Sequence, residues 1–327
     1  MSRICMPLAA WSLIAALGCA ETPEPTVQNT SADTRALSAE VETEENSEPN
    51  SRPWRIYDAM HDRPNSQSAL GRYGIVPAHV FLKGSFYRTG EDQSEPPTEH
   101  RVQEFAQTIP HEVITCMDLE GEDWTNLFTW DAEAKDWRFN ESGYQTMLGI
   151  ARWINEANPE LRWGFFWRPP VGTAYRSAYR QHVEGNHERR DEILNKLREA
   201  EQRIRPLYDE VDVITLSMYY VGRRHESFED FQRECEFVLE HWQPPVDKPV
   251  LVFMCPLDPY SNTATGARFL TAEQWRWCLE FAREHTDGVL LWSDVPFEWD
   301  VHAAGREWWR ETVRFLDDIG GGGNAPN

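Results

Sequence analysis

The sequence predicts an α/β protein, a TIM-like parallel (β/α) barrel of seven strands, on three observations. Short apolar runs alternate with amphipathic helical patterns between residues 53 and 320. The runs are apolar on both faces, as strands are when helices cover a parallel sheet on either side. No glycine-rich phosphate loop, neither GxGxxG nor GxxxxGKS/T, follows any of them. Periodicity alone leaves an open doubly wound sheet as the alternative. The missing phosphate loop counts against a nucleotide-binding sheet and favours the barrel.

The strand runs are RIYDAM from Arg55, HVFLKG from His79, VITCMDLE from Val113, RWGFFW from Arg162, DVITLSMYY from Asp212, PVLVFMC from Pro249 and GVLLWSD from Gly288. The helices between them carry their own signals. In DEILNKLREAEQRIRPL the apolar positions Ile193, Leu197, Ala200, Ile204 and Leu207 form one stripe, which predicts a helix over 191–207. SFEDFQRECEFVLEHW repeats the pattern behind a candidate N-cap, Ser227, with Asp230 three residues on. TAEQWRWCLEFA opens at another cap candidate, Thr271, and GREWWRETVRFLDDIG ends on Gly320 as helix C-termini often do. GYQTMLGIARWINEA supplies a further helix.

The flanks differ from the barrel. Residues 1–19 have Arg3 near the start, an apolar run and small residues before Cys19, the layout of an export signal too short to span a membrane. The ALGC segment resembles a bacterial lipobox, which implies lipidation of Cys19 and a mature N-terminus there. Ala16 stands where that motif prefers Leu, so ordinary secretion is the alternative. Residues 20–52 are rich in Glu, Thr, Ser and Pro and poor in large apolar groups, and are read as a disordered tether. Residues 321–327 are read as a flexible tail. The expectation is therefore an exported protein that meets a membrane only through a lipid at Cys19.

The formal net charge of −22 argues against nucleic acid or an anionic membrane surface as partner. Fifteen Trp and ten Tyr suit sugar binding, because sugar rings have apolar faces that lie flat on indole, and suit equally a tryptophan-rich core. Cys116, Cys235, Cys255 and Cys278 fall within strand-like or helix-like segments and are read as buried hydrophobes rather than a disulfide framework.

In a parallel barrel the active site gathers at the C-terminal strand ends. Along VITCMDLEGEDW, alternation puts Cys116, Asp118 and Glu120 on one face, the two acids roughly 6.6 to 6.8 Å apart at Cα. Two carboxylates converging beside Trp124 repel, and the less solvated one holds its proton to higher pH, as a general acid requires. Glu122 and Asp123 are read as solvated loop charges. The other ends are aromatic: WGFFWRP offers Trp163, Phe165, Trp167 and Arg168, LSMYY puts Ser217 and Tyr219 on one face and Met218 and Tyr220 on the other, and VLLWSD ends in Trp292 and Asp294. Paired acids among aromatics point to a sugar-binding cleft.

Taken in order, these segments resemble the hyaluronidase family, glycoside hydrolase family 56: an Asp-x-Glu strand followed by Trp, a Trp-Gly-aromatic-aromatic segment, a Ser-x-Tyr strand, a Lys-x-Val-Leu strand and an Asp-Gly-hydrophobic-hydrophobic-Trp strand. The resemblance spans roughly residues 55–316 and implies a seven-stranded barrel. It implies that Glu120 is the acid/base, that Asp118 orients the substrate N-acetyl group, and that Tyr219 and Trp292 line the subsite holding that sugar; Trp124, Trp167 and Asp294 are further candidate substrate contacts from their place at the strand ends. The chain departs from the family where a Tyr-Asp pair ends the second strand: HVFLKGSFY offers Lys83 and a displaced Tyr87. Tyrosines expected in two other segments appear as Phe165, Phe166, Met254 and Cys255. Lys83, Arg168, Arg223 and Arg224 are candidate contacts to an anionic, glycosaminoglycan-like polysaccharide. No cofactor or metal is expected. Two other readings remain: a non-catalytic surface carbohydrate-binding protein on a degenerate barrel, and a metal-dependent hydrolase using Asp118, Glu120, Glu122 and Asp123 as oxygen ligands.

Overall fold

The computed structural model describes residues 54–59, 70–71, 73–87, 92–119, 123–166, 172–222, 225–242, 247–258, 269–292 and 307–320. All lie in the second of the chain's two units, Arg52–Asn327. The chain runs β1 (Arg55–Asp58), β2 (Val76–Leu82), α1 (Glu99–Ala106), β3 (Ile114–Asp118), β4 (Phe128–Asp131), β5 (Asp136–Phe139), α2 (Glu141–Ala157), β6 (Trp163–Phe165), α3 (Gly172–Val183), α4 (His187–Arg203), α5 (Arg205–Asp209), β7 (Ile214–Ser217), α6 (Phe228–His241), β8 (Val250–Met254), α7 (Ala272–His285), β9 (Gly288–Leu291) and α8 (Glu307–Asp318).

Seven strands pair in parallel in the order β6-β3-β2-β1-β9-β8-β7. They are the seven runs read from the sequence. The two outer strands then meet. The Asp212 amide donates to the Trp163 carbonyl at 2.8 Å, the Trp163 amide donates to the Asp212 carboxylate at 3.1 Å, and the Thr215 hydroxyl donates to the Phe165 carbonyl. A nearly closed barrel results, with helices alternating outside. Gly164 is what permits the approach, since a Cβ there would lie 2.3 Å from the Val213 carbonyl oxygen.

Strand alternation sorts the core into layers. Ala78, Ile114, Cys116, Phe166, Val213, Leu251, Phe253 and Leu290 fill the barrel interior, while two larger clusters pack between strands and helices. Most described tryptophans serve those outer layers: Trp163, Trp275 and Trp308 are fully buried, and Trp124, Trp137, Trp242 and Trp309 nearly so. The core reading of the tryptophan excess therefore accounts for much of it. Cys116, Cys235, Cys255 and Cys278 are all buried.

The helix signals hold in detail. The Ser227 hydroxyl accepts from the Asp230 amide at 3.2 Å, Thr271 and Gln274 form a capping box, and Gly320 ends the last helix at φ 72°. The helix predicted over 191–207 instead spans His187–Arg203, capped by Asn186, and breaks before α5. Pro206 explains the break, because it lacks an amide hydrogen and its ring clashes with the preceding turn.

The β4–β5 hairpin is an antiparallel pair that the strand count does not contain. Asp131 builds its turn: one carboxylate oxygen accepts from the Glu133 and Ala134 amides at 2.9 and 2.8 Å. Lys135 completes the turn in the left-handed region at φ 53°.

Candidate active site

Asp118 closes β3 on the same face as Ile114 and Cys116, the face that fills the barrel. It is half-buried, while Cys116 below it is fully buried. Burial first, then the Asp118 charge, pushes the Cys116 thiol well above its ordinary value, so the carboxylate looks down on the barrel core. Beside it, in register, Leu82 ends β2 with 58% of its surface exposed. Lys83 follows in a short 3-10 turn, Lys83–Phe86, and is half-buried. The displaced Tyr87 donates its hydroxyl to the Glu95 carbonyl at 2.6 Å.

Across the interior, three rings line up. Phe166 and Tyr219 stack at 6.4 Å, and Tyr219 and Trp292 at 5.8 Å with planes 20° apart. Phe253 meets Phe166 edge-on at 4.5 Å and supports the row from below. All belong to, or pack against, the interior cluster. Strand ends of β6, β7 and β9 thus place an aromatic wall at the pole where β3 places Asp118. Such a wall suits the apolar face of a sugar ring, and a carboxylate beside it suits a polar substituent or a developing positive charge.

Asp118, Tyr219 and Trp292 are therefore brought to one interior face, Asp118 as its alternation predicts and the other two as the fold places them. Met218 and Tyr220 take the face opposite Tyr219, as alternation predicts, and that face is the outer layer. Trp124 is 8% exposed and packs with Leu119, Leu127 and Met147 in the outer layer, away from the aromatic row. Trp163 and Phe165 need correcting as strand-end aromatics. They face outward, fully or nearly buried, because Gly164 and Phe166 hold the inward positions of β6. Phe166, which the sequence reading names only as standing where the family has a tyrosine, is the wall residue of β6, as strand parity from Gly164 indicates. Glu120, Trp167, Asp294 and Cys19 lie outside the described residues, as do Glu122, Arg168, Arg223 and Arg224. Among the described residues no group of three or more His, Cys, Asp or Glu is placed to hold a metal ion.

Behind the wall lies a buried ionic cluster that no sequence motif announces. His225 is 4% exposed, stacks on Tyr220 at 5.7 Å, and sits 3.3 Å from Glu234. Arg176 donates to the other Glu234 oxygen at 2.8 Å. Burial pushes the Glu234 carboxyl up, but His225 and Arg176 outweigh it and hold the group below its ordinary value. The cluster ties α3 and α6 to the segment that leaves Tyr219, so the wall is anchored from outside.

Comparison with known proteins gives structural likenesses alone. No family model matches the chain, and no curated protein sequence matches it. Bee venom hyaluronidase superposes with a TM-score of 0.47 at 13% identity, over 82% of this chain and 98% of that one. A second structure of it, in complex with a hyaluronic acid tetramer, gives 0.45 at 13% identity, over 82% and 96%. A psychrophilic glycoside hydrolase family 10 endo-beta-1,4-xylanase gives 0.40 at 13% identity, over 74% and 86%. The barrel itself rests on the strand order and closure described above.

Proposed function

We propose that the chain is a glycoside hydrolase acting on a polysaccharide, with Glu120 as acid/base and Asp118 positioning a substrate acetamido group. The observation that carries this reading is the joint placement of Asp118 and the Phe166–Tyr219–Trp292 wall at the C-terminal end of the barrel. The ordered sequence resemblance supports the same assignment. In the reaction, Glu120 gives its proton to the leaving glycosidic oxygen as that C–O bond breaks. The acetamido carbonyl oxygen forms a bond to the anomeric carbon, and Asp118 stabilises the positive charge that develops on the acetamido nitrogen. Water, losing a proton to Glu120, then opens the cyclic intermediate and regenerates both groups.

Hyaluronan and chitin, which carry acetamido groups, are the first substrates to screen, with xylan, which carries none, as the comparison that should not be cleaved. Glu120→Gln should lower sugar release from whichever is cleaved at least a hundredfold, with an unchanged circular dichroism spectrum, since general acid/base catalysis is worth roughly 10² to 10⁴. Retained turnover overturns the assignment. A thiazoline that mimics the cyclic intermediate should inhibit; absence of inhibition points to a different glycosidase chemistry.

A non-catalytic carbohydrate-binding protein is the second reading, motivated by exposed Leu82, followed by Lys83, where the family carries a polar pair. It predicts glycan affinity without product. In either case we place the barrel outside the cytoplasm, held by a lipid on Cys19 through the 20–52 tether. Labelled palmitate should enter the wild type and not Cys19→Ala; equal labelling removes the anchor.

A further inference from the structure

We infer that Trp130, on the β4–β5 hairpin, is a distal sugar-binding platform for the same polysaccharide, an inference that rests on the glycoside hydrolase reading. Trp130 is 48% exposed, a large exposure for the bulkiest apolar side chain. Register and alternation put Phe128, Trp130, Trp137 and Phe139 on one face of the hairpin. Phe128 and Trp137 stack at 5.6 Å and are buried, and Trp137 meets Trp130 edge-on at 5.6 Å, an interplanar angle of 68°. The buried pair thus holds the exposed indole by its neighbour's edge rather than covering it.

The hairpin is fixed in advance of any ligand. Arg189 and Lys196 of α4 both bind the Asp136 carboxylate, Arg189 also donates to the Lys135 carbonyl at 3.0 Å, and the Arg203 guanidinium lies 3.9 Å over the Phe139 ring. On the opposite face Arg138 pairs with Asp131 at 3.0 Å. Asp131 and Asp136 of the hairpin are therefore compensated locally by basic side chains. A rigid aromatic binds at lower entropic cost than a mobile one.

Two facts choose the occupant. The hairpin leaves the C-terminal end of β3, the strand that carries Asp118, and returns into the start of α2, so it belongs to the pole that holds the aromatic wall. A protein partner needs about 800 Å² of complementary surface per side. Among the described residues the exposed large hydrophobics are Leu82, Trp130 and Val183, of which the hairpin contributes one. One indole face is too little for a stable protein interface and matches a single pyranose ring.

The test is equilibrium binding of the full chain to polymeric hyaluronan, chitin and xylan, measured by affinity electrophoresis, with each polymer's tetrasaccharide as the short comparison. For a polymer that binds, Trp130→Ala should weaken retention at least fivefold, with a smaller loss for the tetrasaccharide. Trp130→Phe should recover most of it, and Val183→Ala, an exposed apolar control on α3, should match the wild type. Equal retention of wild type and Trp130→Ala overturns the platform and leaves the hydrolase reading standing. Trp130-dependent retention without turnover overturns the hydrolase reading and leaves the platform. Retention of none of the three polymers by the wild type overturns both.

Discussion

Tyr219 and Trp292 stack face to face at 5.8 Å although β8 lies between the strands they follow. Each residue continues the inward parity of its own strand, and in a parallel barrel inward residues of different strands meet in one layer. Trp292→Ala should therefore remove one end of the wall that the proposed function sets against the substrate. Because the ring is half-buried, the stability cost should be about 2 kcal/mol, below that of a fully buried aromatic. The expected functional loss is larger: at least tenfold in kcat/KM on the cleaved polymer, with Trp292→Phe recovering most of it. Parallel assays of kcat/KM and urea midpoint check this, and an unchanged kcat/KM would show that the wall does not touch substrate.

Barrel closure rests on a single absent side chain. Gly164→Ala puts a methyl group 2.3 Å from the Val213 carbonyl oxygen, and the Val213 amide is itself bonded across the β6–β7 seam to the Trp163 carbonyl at 3.3 Å, so moving Val213 away opens the barrel. We expect a loss of about 2–3 kcal/mol. Gly149→Ala is the matched comparison. Its added Cβ would meet Trp153 at 3.7 Å, an ordinary contact, inside a helix where Ala is favoured by up to about 1 kcal/mol. Urea unfolding of both variants should move in opposite directions; a loss below about 0.5 kcal/mol for Gly164→Ala would mean the seam is elastic.

What was legible in the sequence follows from which signals are local. The seven strands announce themselves because each is apolar on both faces, and Ser227, Thr271 and Gly320 because cap chemistry is confined to one turn. Parity along a strand was equally readable: it set Asp118 inward and separated Tyr219 from Met218 and Tyr220, while only the folded barrel shows that the Tyr219 face is interior and that Trp292 shares it. The hairpin was missed because Phe128 and Trp130, and then Trp137 and Phe139, alternate over only four residues each, and its turn uses an Asp131 side chain instead of a glycine pair. The break at Pro206 was overridden by an apolar stripe that continues through it to Leu207. The His225–Glu234–Arg176 cluster joins segments about fifty residues apart, a pairing that only the folded chain creates.

Glu201 makes the fold pH-sensitive from inside. It is 7% exposed, accepts a 2.5 Å hydrogen bond from Tyr175, and is pushed up to about 7 by burial, with the Tyr175 bond pulling partly back. Its folded value lies above the ordinary 4.5, so the folded state keeps a proton that the unfolded chain gives up. The contribution is fully present below pH of about 4.5 and is lost as pH rises through about 7, after which the buried charge remains a fixed penalty. At about 1.4 kcal/mol per unit, the full effect is at most about 3.5 kcal/mol. Glu201→Gln cannot ionise and keeps an acceptor for Tyr175. The stability difference between variant and wild type should therefore grow in the variant's favour by about 2–3 kcal/mol between pH 4.5 and pH 8. Urea midpoints across that range measure it, and curves that stay parallel would show that Glu201 does not hold its proton in the folded protein.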